Sequence, residues 1–229
     1  MTTQIDVVIP TLNAAARLAR TLAALRGDGH DLCPSITVCD GGSRDDTPAI
    51  ARQAGASVVT AQAGRGGQLA AGAAAGSAPW LLFLHADTML GADWAGSVRR
   101  FTSHAANVGK AGYFRLRFDA PDPRARRVER LAAWRCRTVG LPYGDQGLVI
   151  ARAFYQRLGG FRALPLMEDV EFVRRIGRKN LVPLDADAVT SAERYLSEGW
   201  LARPARNLSC LALFFAGVPP ALIRRLYRS

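Results

Sequence analysis

A chain of 229 residues with 49% hydrophobic content is long enough to bury one sizeable core and too apolar to be a disordered tail. Thirty Lys and Arg against nineteen Asp and Glu leave a net charge of +11, which favours nucleotide phosphates, other polyanions or an anionic membrane surface as partners. Cys33, Cys39, Cys136 and Cys210 lack CxxC spacing, which argues against a zinc site or redox motif and for reduced thiols in a core.

In chain order, Ile5 to Ile9 is a β-branched run with no basic or apolar leader before it, so no secretory signal is visible and a cytoplasmic protein is expected. Helix-like Asn13 to Arg26, a strand at Ile36 to Cys39, a helix at Asp46 to Ala54 and a strand at Ser57 to Thr60 follow. An Ala- and Gly-rich helix from about Gly67 to Gly76, a strand at Leu81 to Leu84 and a helix from about Asp93 to Ser103 continue the alternation. Strand alternating with helix implies an α/β fold with a mostly parallel, Rossmann-like sheet flanked by helices. In such a sheet ligands gather beyond the carboxyl ends of the strands. Pro10-Thr-Leu-Asn13, Asp40-Gly-Gly-Ser43 and His85-Ala-Asp87 each follow a strand and should meet on that edge.

Asp87, delivered from the end of a fully apolar strand, is placed to hold a divalent cation, Mn2+ or Mg2+, against a diphosphate, because carboxylate oxygens are hard ligands. The plainer reading of Asp87-Thr88 is a turn or helix cap, and Ser43 or Asp45 is equally a candidate cap. Gly41 and Gly42 allow a ligand close to the backbone beside Asp40.

After residue 110 come Tyr113 to Phe118, an arginine-rich amphipathic helix from about Pro123 to Val139, the loop Leu141-Pro-Tyr-Gly-Asp-Gln-Gly147 and a strand at Leu148 to Ala151. No nucleic-acid motif accompanies the basic charge, so nucleic acid is not expected as a partner. Leu208 to Ile223 is apolar but broken by Gly217, Pro219 and Pro220 and falls short of the roughly 20 residues of a spanning helix. Followed by Arg224, Arg225 and Arg228, it is a candidate for an anionic leaflet or for packing on the core, so the expected location is cytoplasmic with a peripheral membrane position at the inner face as an option.

Ile-Pro-Thr-Leu-Asn13, Cys-Asp-Gly-Gly-Ser43 and Phe-Leu-His-Ala-Asp87, in that order, resemble the nucleotide-sugar-binding half of glycosyltransferase family 2, whose fold is of GT-A type. Arg152, Gly159-Gly-Phe161 and Met167-Glu-Asp169 resemble the family's acceptor side, and Gly144-Asp-Gln-Gly147 with Leu164-Pro-Leu-Met-Glu-Asp169 is most similar to the small bacterial subgroup of radical-SAM or selenodomain-associated transferases. The resemblance implies a GT-A domain over 1–200, split into a nucleotide-sugar-binding half (1–109) and an acceptor-side half (110–200), with a helical tail at 201–229. It implies a nucleoside diphosphate-sugar donor, a UDP-sugar first among them, and an unidentified acceptor, small or lipid-linked.

By the same resemblance Pro10, Thr11, Asn13, Asp40, Arg65, His85 and Ala86 are donor-binding, and Asp87 is the metal-binding end of an Asp-x-Asp motif. Asp169 sits where the family has its general base, with Glu168 beside it; Asp145, Gln146 and Arg174 are candidate contacts to sugar or acceptor. His85 stands where many relatives carry an acid, and it cannot serve as an anionic ligand. A noncatalytic nucleotide-sugar-binding scaffold or regulator, and a nucleotidyltransferase using Gly64-Arg-Gly-Gly67, are the competing readings.

Overall fold

The computed structural model describes residues 4–29, 31–33 and 35–228; the outermost residues of the expected domain and tail, 1–3 and 229, lie outside it. In chain order the elements are β1 (Ile5–Thr11), α1 (Ala15–Gly29), β2 (Ser35–Asp40), α2 (Thr47–Gln53), β3 (Ser57–Thr60), α3 (Arg65–Ala75), β4 (Trp80–Phe83), β5 (Thr88–Leu90) and α4 (Trp94–Ser103). The second half contributes β6 (Ala111–Phe118), α5 (Pro123–Val139), β7 (Leu148–Ala151), α6 (Arg152–Arg157), α7 (Glu168–Ile176), β8 (Leu181–Thr190), α8 (Glu193–Glu198), α9 (Ala202–Phe215) and α10 (Pro220–Arg228).

Eight strands form one sheet in the order β3-β2-β1-β4-β7-β6-β8-β5. β3, β2, β1 and β4 run parallel, and β6 and β8 are parallel, while β7 and β5 run antiparallel to their neighbours. Every residue of β1, β4 and β7 is buried, as expected of central strands covered on both faces. β4 pairs with β7 and β5 with β8, so the two halves expected from sequence share one sheet.

Local chemistry fixes the helix ends. Asp122 accepts the Arg124 N–H as the cap of α5, Pro123 opens the helix, and Gly140 closes it at φ 68°. In α3 the small residues permit close packing: a Cβ on Gly72 would lie 2.4 Å from both Cys39 Sγ and Val8 Cγ1. All four cysteines are buried and unpaired, in keeping with a packing role.

The second half holds elements that the strand–helix alternation does not announce. β8 carries Pro183 and two aspartates, yet Leu184, Ala186 and Ala188 alternate as buried residues with Asp185 and Asp187 outside them. That period of two is a usable strand signal. Thr88 is fully buried and opens β5, donating to Thr190 across the pair, so it is a strand residue and not a helix cap.

The apolar C-terminal stretch breaks into α9 and α10 at the Gly217–Pro219 turn. Leu211, with Phe214 beside it, packs against Leu141, Val170 and Val173. On these two helices Leu208, Phe215, Leu222 and Leu226 are exposed. No helix among the described residues is long and apolar enough to cross a membrane.

Candidate active site

β2 and β3 lie to one side of β1 and β4 to the other, so the sheet changes direction between β1 and β4. Such a switch point opens a crevice at the carboxyl ends of the strands. The loop after Thr11 and the segment His85–Asp87 emerge there, and a cavity of about 640 Å³ lies over them. Pro10, Thr11, Asn13, Arg65, His85, Ala86 and Asp87 line it, together with Asp145, Glu168 and Asp169 from the second half.

Several side chains hold the donor edge in shape. Gln68, which sequence reasoning passed over, donates from Nε2 to the carbonyls of Thr11 and Cys39, each at 2.7 Å, and ties the ends of β1 and β2 together. Its only signal in sequence is a lone amide among small residues. Asn13, at φ 50°, accepts the Arg44 N–H at 2.9 Å, while its own N–H donates to Ser43 Oγ at 2.8 Å. Thr21 donates to the Ala86 carbonyl at 2.9 Å and fixes the turn that carries Asp87.

Asp40 has a different place from the one its motif suggests. Its carboxylate accepts from the Thr11 and Ser43 hydroxyls and from the Gly42 and Ser43 amides, at 2.5–3.1 Å, and Asp40 is not in the cavity wall. Burial alone would raise its pKa, but these bonds, Ser43's first, outweigh it and hold the carboxyl below its usual range. With both oxygens doubly occupied, Asp40 shapes the loop beside the cavity.

Across the cavity, Gly144 lies between two functional groups, His85 and Asp169. Its N–H donates to Asp169 Oδ2 at 2.8 Å, and a Cβ there would lie 2.5 Å from His85 Nε2 and 3.5 Å from Asp169 Oδ2. Only glycine fits between the His85 strand end and the first turn of α7. Asp169 also accepts the Val170 N–H at 2.8 Å, in the first turn of α7.

Glu168 is 1% exposed, ion-paired to Arg65 at 3.5 Å, and its Oε2 has no hydrogen-bond partner among the described residues. Burial, against the attraction of Arg65 and with the repulsion of Asp169, pushes its pKa up to about 7. Asp145 likewise has an Oδ1 without a partner among the described residues and is pushed up to about 6, by burial first and then by the negative charges of Asp169 and Asp87, against Arg135. His85 goes the other way, down to about 4, because burial and the Arg65 charge disfavour an imidazolium. It stands at the strand end as a neutral hydrogen-bonding group.

Two expected contacts lie elsewhere. Gln146 is 1% exposed and outside the cavity wall; it accepts from Arg135, Cys136 and the Tyr143 N–H and donates to the Phe114 carbonyl at 3.0 Å. It braces the Gly-rich loop. Arg174 stacks on Phe215 of α9, 4.9 Å from the ring centre, and anchors the tail. Conversely, Arg194, Tyr195, Arg203, Arg206, Arg224 and Tyr227, from α8, α9 and α10, form a wall of the cavity that no motif marks.

No group of three or more His, Cys, Asp or Glu among the described residues forms a cage for a metal ion. The single carboxylate of Asp87 nonetheless fits Mg2+ or a similar ion, which is commonly bound by one or two carboxylates with substrate phosphates and waters completing the shell.

The family model "Glycosyl transferase family 2" matches residues 6–149, more than half of the chain, and the protein belongs to that family. No curated protein is similar enough in sequence to count as a match. Among solved structures, S. aureus TarS 1-349 superposes with a TM-score of 0.58 at 14% identity, covering 82% of this chain and 58% of that one. This chain therefore spans less than two thirds of that relative. Glucosyl-3-phosphoglycerate synthase from Mycobacterium tuberculosis, in complex with Mn2+, UDP and glucosyl-3-phosphoglycerate, gives a TM-score of 0.58 at 18% identity, covering 95% of this chain and 81% of that one. TarS 1-349 in complex with UDP-GlcNAc gives 0.58 at 14% identity, covering 82% and 56%. The α/β fold, a mostly parallel sheet flanked by helices, is thus of GT-A type.

Proposed function

We propose that the protein is a glycosyltransferase that moves a sugar from a nucleoside diphosphate donor, a UDP-sugar first, to an acceptor hydroxyl with inversion at the anomeric carbon. The observation that carries the reading is a single cavity lined at once by the strand-end residues Thr11, His85 and Asp87 and by the carboxyl groups of Asp145, Glu168 and Asp169. The neighbours' complexes with UDP and UDP-GlcNAc support the choice of donor. Membership of the radical-SAM or selenodomain-associated subgroup, suggested by Gly144–Gly147 and Leu164–Asp169, is part of the same proposal.

Pro10, Thr11, Asn13, Arg65 and the His85–Asp87 turn receive the nucleotide and its phosphates, with Asp40 keeping the neighbouring loop in shape. Asp169 acts as general base: one carboxylate oxygen takes the acceptor's proton while the acceptor oxygen bonds to the anomeric carbon. The glycosidic bond breaks and its electron pair leaves on the diphosphate. A divalent ion held by Asp87 would neutralise charge on that leaving group. Glu168 holds Arg65 toward the phosphates, and Asp145, with a free oxygen, is placed to hold a sugar or acceptor hydroxyl.

The domain over 1–200 carries this chemistry and the 201–229 tail completes its wall. The apolar outer side of the tail, with exposed Arg225, supports a peripheral position on an anionic inner leaflet and a lipid-linked acceptor. A thermal-shift panel of nucleotide-sugars with and without manganese tests the donor reading, because a ligand that binds only the native state raises its stability. A manganese-dependent shift with one donor class, lost in Asp87→Asn, is the expected result. No shift with any nucleotide-sugar would refute the reading.

A further inference from the structure

The cavity has a basic wall that no family motif supplies. Arg194 of α8, Arg203 and Arg206 of α9 and Arg224 of α10 line it together with Thr11, His85 and Asp87. Two of the four are committed within the tail. Arg203 donates from Nη1 to both oxygens of Glu198, at 2.9 and 3.0 Å, and from Nη2 to the Tyr227 hydroxyl, and Arg206 pairs with the same glutamate. That lattice locks α8, α9 and α10 to one another.

Arg194 and Arg224 make no ion pair among the described residues. Two guanidinium groups without an ion-pair partner among the described residues therefore stand in the wall of one cavity, on elements whose relative position the Glu198 lattice fixes. The charge of Arg194 reaches His85 at the strand end, and Arg224 lines the same cavity as the His85–Asp87 turn. At that turn Asp87 is the one carboxylate, since the position two residues before it is histidine.

The chemistry asks for cations here. A sugar-linked diphosphate is anionic and gains a further negative charge as its bond to the sugar breaks. Arginine meets phosphate oxygens through its planar fork of N–H donors, and donors fixed in place before the reaction stabilise charge that develops during it. Resting on the donor reading above, we propose that Arg194 and Arg224 bind the donor's diphosphate directly, so that the C-terminal helices are the diphosphate-binding wall of the site. The tail then takes a share of the charge neutralisation for which a single Asp87 provides little metal anchorage.

Calorimetric titration of UDP and of UMP into the full chain, in manganese and separately in EDTA, tests this. Arg194→Ala with Arg224→Ala should weaken UDP binding about tenfold or more, the scale of one lost charged hydrogen bond, and weaken UMP binding less, in both conditions. Arg194→Lys with Arg224→Lys should recover part of the UDP affinity, and because neither arginine is ion-paired among the described residues the unliganded melting temperature should not move. An unchanged UDP-to-UMP affinity ratio in the folded alanine variant would overturn the proposal while wild-type UDP binding upheld the donor reading. Absence of UDP binding in the wild type, with manganese present, would overturn both.

Discussion

Asp169 has the position of a base: its carboxylate accepts two backbone amides at the head of α7, beside the cavity. Asp169→Asn should therefore keep donor affinity and lose turnover by roughly 100- to 10,000-fold, the usual cost of removing a general base. Steady-state rates set beside UDP titrations check this, and near-normal turnover would move the base elsewhere.

Glu168 yields a pH prediction. Its pKa is raised by folding, from an ordinary carboxyl value to about 7, so the native state holds the proton more tightly than the unfolded chain. Stability from this group is then full at pH 4.5 and below and declines as pH rises toward 7. His85, lowered to about 4, works oppositely, adding stability as pH rises from 4 to 6.5. Glu168→Gln should remove the first slope and retain the second, so that its melting temperature gains on the wild type between pH 5 and pH 8. Parallel melting curves for the two proteins would show that Glu168 is not held protonated by its surroundings.

At the scale of elements, the site depends on a sheet whose halves are clamped at the end away from the cavity. Arg152, at the start of α6, pairs with Asp6 of β1 at 2.5 Å and donates to the Ala78 carbonyl at 2.7 Å, while Asp6 also accepts the Ala78 N–H. The pair is largely buried, with side chains 14% and 5% exposed. Breaking a buried pair from one side leaves the other charge uncompensated, so Arg152→Ala should cost about 3–5 kcal/mol. Urea unfolding followed by circular dichroism measures it, and a cost below about 1 kcal/mol, typical of a surface pair, would contradict the burial argument. In sequence Arg152 stood beside the glycines of the acceptor-side motif; the fold makes it a strut.

The strands, the arginine-rich helix and the three strand-end motifs were legible because apolar runs, caps and turn glycines act over a few residues. β8 and the tail helices were less so. β8 hides its alternation behind proline and aspartate, and the tail's apolar residues divide between a buried and an exposed side only once α9 has a partner in Leu141, Val170 and Val173.

For the whole molecule, α8 and the tail helices together have two distinct sides. Arg194, Arg203, Arg206 and Arg224 look into the cavity, whereas Leu208, Phe215, Leu222 and Leu226 are on the outside. If that outer side lies on a membrane, anionic vesicles should bind the protein and salt should release it, because each arginine near the surface contributes about 1 kcal/mol and is screened over about 8 Å at physiological ionic strength. Leu208→Asp with Leu222→Asp, two exposed residues outside the cavity wall, should abolish the recruitment and leave UDP binding intact. Equal sedimentation with neutral and anionic vesicles would make the exposed apolar side a surface for something other than lipid.

The sequence alone announced most of the strand–helix alternation of the first half and the edge on which Asn13, Asp40 and Asp87 emerge, because each depends on neighbours a few positions away, and the family resemblance put an acidic pair on a helix. Only the tertiary structure decided which of these groups face the cavity. Asp40 turns its carboxylate into its own loop, Gln146 spends its amide on the protein, and Glu168 is buried with an oxygen unmet. It also decided that a tail some hundred residues beyond the donor motifs closes their cavity with arginine. Burial, counterions and hydrogen-bond partners set what a polar side chain does, and here they come from segments that meet only when the sheet and its helices have packed.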